Sequence, residues 1–293
     1  MTVDTPAASS TSASHLAAEN RSVAIEGATL VYRRFGSAER DAPPLLCLQH
    51  FRGNLDNWDP AVVDRLATDR EVILLDNRGV GGSTGVVPDN VADMARDVLR
   101  FVDALGLRQI DLLGFSLGGY VAQDVALVRP RLIRRIVLAG TAPKGAPRIH
   151  RWSDEVYALA THDELDASRF IRLFFSGSQE SRDKGMRFLA RITSRTSGRD
   201  EATDLPTRDA QLEAFARWGI PDPSKLARLA AITHPTFVAA GDNDTLMTTE
   251  NSRLLARHLP NAQLRIYPDA GHGFLDQYPE QFADHVRAFL NGG

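Results

Sequence analysis

Short apolar runs along the chain alternate with stretches in which apolar residues recur three or four positions apart. The runs Ser22 to Ile25, Thr29 to Arg33, Leu45 to Gln49, Val72 to Leu75, Ile110 to Gly114, Ile136 to Ala139, Thr236 to Ala240 and Leu264 to Tyr267 read as eight strands. The central ones are unbroken hydrophobic segments, as parallel strands covered on both faces must be. The first two can pair as a hairpin through Glu26-Gly27. Val91, Met94, Val98, Val102 and Leu105 sit at helical spacing and stop at Gly106, and Phe282, Val286 and Phe289 repeat the pattern near the C-terminus. This alternation of strand and helix predicts a mostly parallel α/β sheet built from βαβ units.

The rhythm stops between Pro143 and about Ala231. Aromatic residues such as Trp152, Phe174, Phe215 and Trp218 lie there among many charges, in stretches that look helical. From 143 to 231 the chain carries 15 Lys plus Arg against 13 Asp plus Glu, so its arginines read as a solvated face rather than a polyanion site. Residues 1–20 are rich in Ala, Ser and Thr and lack a basic start or a continuous apolar core. They read as a disordered tail, not as a secretory signal or membrane span. The division expected is therefore a tail at 1–20, a core at 21–142 and 233–293, and a helical insertion at 143–232.

Composition adds mainly exclusions. With 293 residues, 43% hydrophobic, 24% charged and a net charge of −3, the chain reads as an ordinary soluble globular protein. Nothing argues for nucleic acid or an anionic membrane as a partner, and homo-oligomer formation is left open. Cys47 is the single cysteine, which excludes an intramolecular disulfide framework and suits a reducing, cytoplasmic compartment. Its place in Pro44-Leu45-Leu46-Cys47-Leu48 predicts a buried, inert thiol.

The chemistry concentrates at Gly114-Phe115-Ser116-Leu117-Gly118-Gly119, with a buried strand running in and the helix-compatible segment Tyr120 to Val128 running out. That is the strand, sharp turn and helix of a nucleophile elbow. Gly114 and Gly118 remove the β-carbons that so tight a turn cannot hold, leaving Ser116 in strained backbone beside orphan helix amides. On these residues the chain resembles serine hydrolases of the α/β-hydrolase superfamily, the elbow being similar to those of small esterases and of the cofactor-independent haloperoxidase or perhydrolase group. The resemblance covers roughly 21–142 and 233–293. It implies an eight-stranded, mostly parallel sheet flanked by helices, with a helical cap over the elbow. It also implies catalysis with no cofactor and no metal.

Gln49-His50-Phe51-Arg52-Gly53 occupies the place where the family often reads His-Gly-Phe-x-Gly. The alignment on Phe51 and Gly53 implies that the Phe51 amide and that of Leu117, the residue after the nucleophile, form the oxyanion hole. His50 then stands where a glycine is usual, and a pocket-lining role suits it better than direct chemistry. Asp76-Asn77-Arg78-Gly79-Val80-Gly81-Gly82-Ser83 resembles a structural turn of the family and lacks the residues of a phosphate loop.

A serine hydroxyl needs a base, itself oriented by a third group. His272, in Gly271-His272-Gly273-Phe274 after the last strand, is the one histidine of eight in such a loop. Gly241-Asp242-Asn243-Asp244 follows the seventh strand, and the family's Gly-x-x-Asp pattern selects Asp244 over Asp242. Ser116, Asp244 and His272 stand in the α/β-hydrolase order. His50, Arg52, Trp152, Trp218 and Phe274 are candidates for the wall of an acyl or alcohol pocket. The expected activity is hydrolysis of a small carboxylic ester or lactone through an acyl-enzyme. Carbon–carbon bond hydrolysis, which would need a basic group such as Arg52 or Arg78 beside the elbow, and perhydrolase chemistry share the triad. A non-catalytic ligand receptor is the reading from another class.

Overall fold

A computed structural model describes residues 14–37, 42–146 and 152–292. Its strands are β1 (Arg21–Ile25), β2 (Ala28–Gly36), β3 (Leu45–Leu48), β4 (Glu71–Leu75), β5 (Ile110–Phe115), β6 (Ile133–Ala139), β7 (Thr236–Gly241) and β8 (Ala262–Tyr267). They form one sheet in the order β1-β2-β4-β3-β5-β6-β7-β8. The first two strands are an antiparallel hairpin, β2 also runs antiparallel to β4, and every other pairing is parallel. The sheet expected from the apolar runs is the sheet observed.

β2 extends three residues past its predicted end because its arginines have partners inside the sheet region. Arg34 makes two hydrogen bonds to Glu71 on β4, at 2.5 and 2.7 Å, and Arg33 is fully buried against Asp56 at 2.7 Å. A charge in the sequence therefore marks continuation of the strand here, not its edge.

Helices α1 (Pro60–Leu66), α2 (Val91–Ala104) and α3 (Leu117–Val128) join the first strands. Five more, α4 (Asp154–Ala160), α5 (Ala167–Phe174), α6 (Gln179–Ile192), α7 (Leu205–Gly219) and α8 (Pro223–Leu226), occupy the segment between β6 and β7. α9 (Thr249–His258), α10 (Phe274–Gln277) and α11 (Pro279–Leu290) complete the chain. Alternation along each strand splits the core in two. Leu46, Leu48, Leu112 and Leu138 pack under α2 and α3, while Leu45, Cys47, Leu113 and Val137 pack under α1 and α11. Cys47 is fully buried, and burial pushes its thiol well above the usual range. Among the described residues no helix is long and apolar enough to cross a membrane.

The helices of the inserted segment start at residues that satisfy their free amides. Ser153, Asp166, Ser178, Asp204 and Asp222 each accept a hydrogen bond from an amide of the first turn. Apolar stripes then press α5 and α6 onto the core, with Phe170, Phe174, Phe175 and Phe188 all buried. The insertion thus joins both hydrophobic clusters, α5 and α6 beside Phe115 and Phe274 and α7 through Phe215 and Trp218 beside Tyr120, instead of standing apart from them.

The disordered tail expected at 1–20 needs correction for residues 14–20; residues 1–13 lie outside the described residues. His15 and Ala18 are buried. The His15 amide donates to Asp64 at 2.6 Å, and Arg195, from the insertion, donates to the carbonyls of His15 and Leu16 at 3.1 and 2.8 Å. Asn20 accepts from Arg33 at 2.7 Å and donates to the carbonyl of Gly198. Polar contacts to distant arginines hold this segment, so its lack of apolar pattern gave no sign of order.

The buried His15 ring contributes a pH dependence. Burial first, then Arg33 and Arg195, lower its pKa from 6.5 to about 3. Between those values the unfolded chain holds a proton that the folded ring refuses, so stability is complete above about pH 6.5 and falls as acid is added. At pH 5 this costs about 2 kcal/mol. Its Nδ1 has no partner, so the ring itself is dispensable to the contacts above. We expect His15→Leu to lose about 2 kcal/mol less than wild type between pH 7 and pH 5 in denaturant titrations; equal losses would contradict this origin.

Candidate active site

The elbow forms because backbone meets backbone where side chains are missing. Ser116 has φ 55° and ψ −117°, in the sparsely populated left-handed half of backbone space. A β-carbon on Gly118 would lie 2.1 Å from the carbonyl oxygen of Leu48, and one on Gly114 would lie 2.4 Å from that of Gly118. Gly119 makes a third close approach, to Thr141, at 2.5 Å. The strained residue is held from three sides: its amide donates to Ala139 at 2.9 Å, and its carbonyl accepts from Thr141 Oγ1 at 2.8 Å and from the Gly119 amide at 2.9 Å.

Two neighbouring loops supply the titratable groups. Asp244 follows β7, and its Oδ1 accepts from the amides of Leu246 and Met247 at 2.9 and 2.8 Å. Its Oδ2 faces His272 Nδ1 at 2.7 Å, with both side chains essentially inaccessible to solvent. A carboxylate acceptor there places the imidazole proton on Nδ1 and leaves Nε2 as the basic nitrogen. The His272 ring stacks on Phe115, the residue before the serine, with 5.0 Å between centroids. Ser116 and His272 line one cavity.

The glycines beside His272 serve a different contact from the one their position suggests. A β-carbon on Gly271 would sit 2.7 Å from the carbonyl oxygen of Phe174, and the Gly273 amide donates to that same oxygen at 2.6 Å. They admit the C-terminal end of α5, which seats the insertion on the histidine loop. Asp242 ties the same loops together, accepting from the Ala270 amide at 3.1 Å.

The cavity has an empty volume of about 370 Å³. Trp152, Leu173, Phe174 and Phe215 from the insertion face Ser116 and His272, and Leu246 and Met247 close one side. Its wall is therefore apolar apart from the groups of the elbow and two imidazoles. Among the described residues the amides of Phe51 and Leu117 donate to no protein acceptor, although those of Arg52 and Gly53, the two residues after Phe51, do. Both free amides belong to the segments that meet at Gly118.

His50 does line this cavity. It avoids positive φ, so the β-carbon in the usual glycine place adds no strain, and the loop's left-handed residue is Arg52 at φ 63°. His50 Nδ1 donates to the Phe51 carbonyl at 2.7 Å, and burial, reinforced by His272 and opposed by that hydrogen bond, pulls its pKa down to about 3. It is a neutral ring at any pH near 7.

Three expected pocket residues stand elsewhere. Trp218 is buried against Tyr120, 4.9 Å between centroids, and donates to the Ala142 carbonyl. Phe274 is fully buried between Tyr267 and Phe282, because the residue after the Gly-His-Gly turn starts α10 and points into the core. Arg52 leaves the cavity and donates to the carbonyls of His162 and Asp163 at 2.6 and 2.8 Å, which fastens the loop after β3 to the insertion. Arg78 is likewise structural, holding Asp97 and the carbonyls of Glu26 and Gly27. Thr141 and Gln211, the latter accepting from the Arg52 amide at 2.7 Å, escaped sequence reasoning because they act through single long-range bonds.

A family sequence profile described as the alpha/beta hydrolase fold matches residues 43–279. The chain belongs to the alpha/beta hydrolase family. The provisionally named carbamate hydrolase RutD of Agrobacterium fabrum is 30% identical over 263 residues, 87% of this hydrolase and 95% of that protein. A poly(3-hydroxyalkanoate) depolymerase of Ectopseudomonas oleovorans is 32% identical over 253 residues, 84% of each chain. Among solved structures, an alpha/beta hydrolase fold protein from Chitinophaga pinensis is 42% identical with a TM-score of 0.89, covering 96% of this hydrolase and 100% of that chain. These relatives are hydrolases, and so is this protein.

The elbow's steric economy is open to test in this hydrolase. A β-carbon at Gly118 meets backbone, which cannot swing aside, so Gly118→Ala should cost about 3 kcal/mol in denaturant unfolding. Gly177→Ala, where nothing lies within 4 Å, should stay within about 0.5 kcal/mol of wild type. Similar values for the two would contradict the packing argument.

Proposed function

We propose that this hydrolase cleaves small carboxylic esters through Ser116, His272 and Asp244. The observation that carries the reading is the 2.7 Å contact from Asp244 Oδ2 to His272 Nδ1, in a loop whose imidazole shares one apolar cavity with the strained serine. His272 Nε2 takes the Ser116 proton as Oγ attacks the ester carbonyl. The amides of Phe51 and Leu117 hold the developing oxyanion, in a wall dry enough for each hydrogen bond to count. His272 then gives its proton to the departing alcohol, and water releases the acyl group by the same route. Asp244 fixes the ring's tautomer and offsets its charge without taking the proton.

The cavity favours small acyl groups. It is closed in by the rings of Phe51, Trp152, Phe174 and Phe215 and by Leu173, Leu246 and Met247, which leave little room beside the serine. Among the described residues that line it there is no Lys or Arg, which speaks against a substrate carboxylate beside the elbow and so against carbon–carbon hydrolysis of dienone acids. Carbamate cleavage is a second reading. It is favoured by the relatives named for it and needs the same attack at a carbonyl carbon.

Nitrophenyl esters from acetate to decanoate test both the chemistry and the size. We expect kcat/KM to peak at two to four carbons and to fall at least tenfold by decanoate. Ser116→Ala and His272→Ala should remove turnover by roughly 10⁴-fold or more, and Asp244→Asn by roughly 10³- to 10⁴-fold. Turnover retained in Ser116→Ala would overturn the assignment. A preference for ethyl carbamates over ethyl esters would establish the second reading.

A further inference from the structure

Beyond the apolar cavity lies a second, more polar cleft, and His50 and Leu165 line both. Five carboxylates line the second cleft, Asp56, Asp163, Glu164, Asp166 and Asp200, beside the donors Arg52, Asn54, Asn57, Arg199 and Thr203. Their charge is largely balanced. Three of the five are paired, Asp56 with Arg33, Asp163 with Arg208 and Asp166 with Arg169, and burial raises Asp200 and the neighbouring Asp76 above the usual carboxylate range, which favours their neutral forms. The carboxylates nevertheless keep lone pairs beyond those ion pairs. Arg52 donates to two carbonyls, and Arg199 Nη1 donates to those of Ile192 and Arg195 while its Nε lies 3.9 Å from Asp56. A cleft with near-neutral charge and surplus acceptors suits an uncharged partner rich in O–H donors.

His50 points to the same class of ligand. It is only 3% exposed, its Nδ1 proton is spent on the Phe51 carbonyl, and its Nε2 therefore carries a lone pair. Among the described residues that nitrogen has no protein partner, yet it is not among the polar atoms sealed from solvent without one. The residue lines both the chamber with the serine and the second cleft. A buried acceptor so placed costs free energy unless a donor reaches it.

We propose that this cleft is the leaving-group subsite, and that it selects esters of small polyhydroxylated alcohols whose hydroxyl donates to His50 Nε2. The inference rests on the ester-hydrolase reading above. The acyl part lies in the apolar cavity and the polyol reaches past His50 and Leu165. When the Ser116 Oγ–carbon bond forms and the ester carbon–oxygen bond breaks, the polyol oxygen takes its proton from His272. His50 is a positioning residue: it touches the alcohol but not the reacting bond, and its low pKa keeps it an acceptor throughout.

Two butanoate esters of nearly equal shape test this, 2,3-dihydroxypropyl and 2-methylbutyl, each rate being divided by that ester's hydroxide hydrolysis rate. In wild type we expect the dihydroxy ester to have the higher kcat/KM, by about tenfold, mainly through KM. His50→Phe, which keeps a ring but removes the acceptor, should cut that ratio at least threefold. Glu164→Leu, at an exposed position that folding does not depend on, should cut it about twofold. A ratio at or below one in wild type, or one unchanged in both variants, would overturn the proposal. So would a stronger preference for the 2-(dimethylamino)ethyl ester, which would make charge the selector. Nitrophenyl butanoate separates the two levels: Ser116-dependent turnover of it without polyol preference sinks only the subsite, whereas no turnover of any ester sinks the hydrolase reading as well.

Discussion

Everything at the centre of this molecule depends on how closely the Leu48 carbonyl approaches the first turn of α3. The 2.1 Å between that oxygen and the place of an absent Gly118 β-carbon leaves room for backbone only. Because the end of β3 can come so near, the loop it feeds passes directly beside the elbow. The Phe51 amide, which has no acceptor among the described residues, is thus brought to the turn that carries the Leu117 amide. The strain at Ser116, on the order of 1–3 kcal/mol for such a backbone, is offset by the buried strands on both sides and by the bonds to Ala139 and Thr141.

The same contact explains how an inserted segment becomes part of the site. The loop after β3 is held from outside by Gln211 on α7 and, through Arg52, by the carbonyls of residues 162 and 163. The histidine loop is held by the Phe174 carbonyl at the end of α5. The loops of Phe51 and of His272 are therefore both buttressed by the insertion. The segment that shapes the pocket also fixes the geometry of what it covers, so substitutions in it are expected to reach the chemistry as well as the substrate.

How much of this was legible depends on whether a residue acts through pattern or through a single contact. The strands were legible because burial on both faces leaves only apolar residues, and the elbow because its missing side chains are written as glycine. Placing the strands put Ser116, Asp244 and His272 in loops at strand ends, where open α/β sheets carry their sites, and the family's Gly-x-x-Asp pattern, not the strands, separated Asp244 from Asp242. Trp218 and Phe274 misled because an aromatic beside a site looks the same in sequence whether it faces the cavity or the core. Only the direction of a helix separates those cases. Residues 14–20 misled in the opposite sense, since their order comes from Arg195 and Arg33, far away in the chain.

Labelling with a small alkyl nitrophenyl phosphonate, followed by peptide mass mapping, tests the central claim most directly, because the phosphonyl group is retained only by a nucleophile that a neighbouring base and an oxyanion hole activate. One equivalent of label on the peptide carrying Ser116, lost in Ser116→Ala and slowed by orders of magnitude in Asp244→Asn, is the expected result. Folded protein that takes up no label, or takes it up at another residue while Ser116 stays unmodified, would contradict the assignment of Ser116, His272 and Asp244 as one catalytic unit.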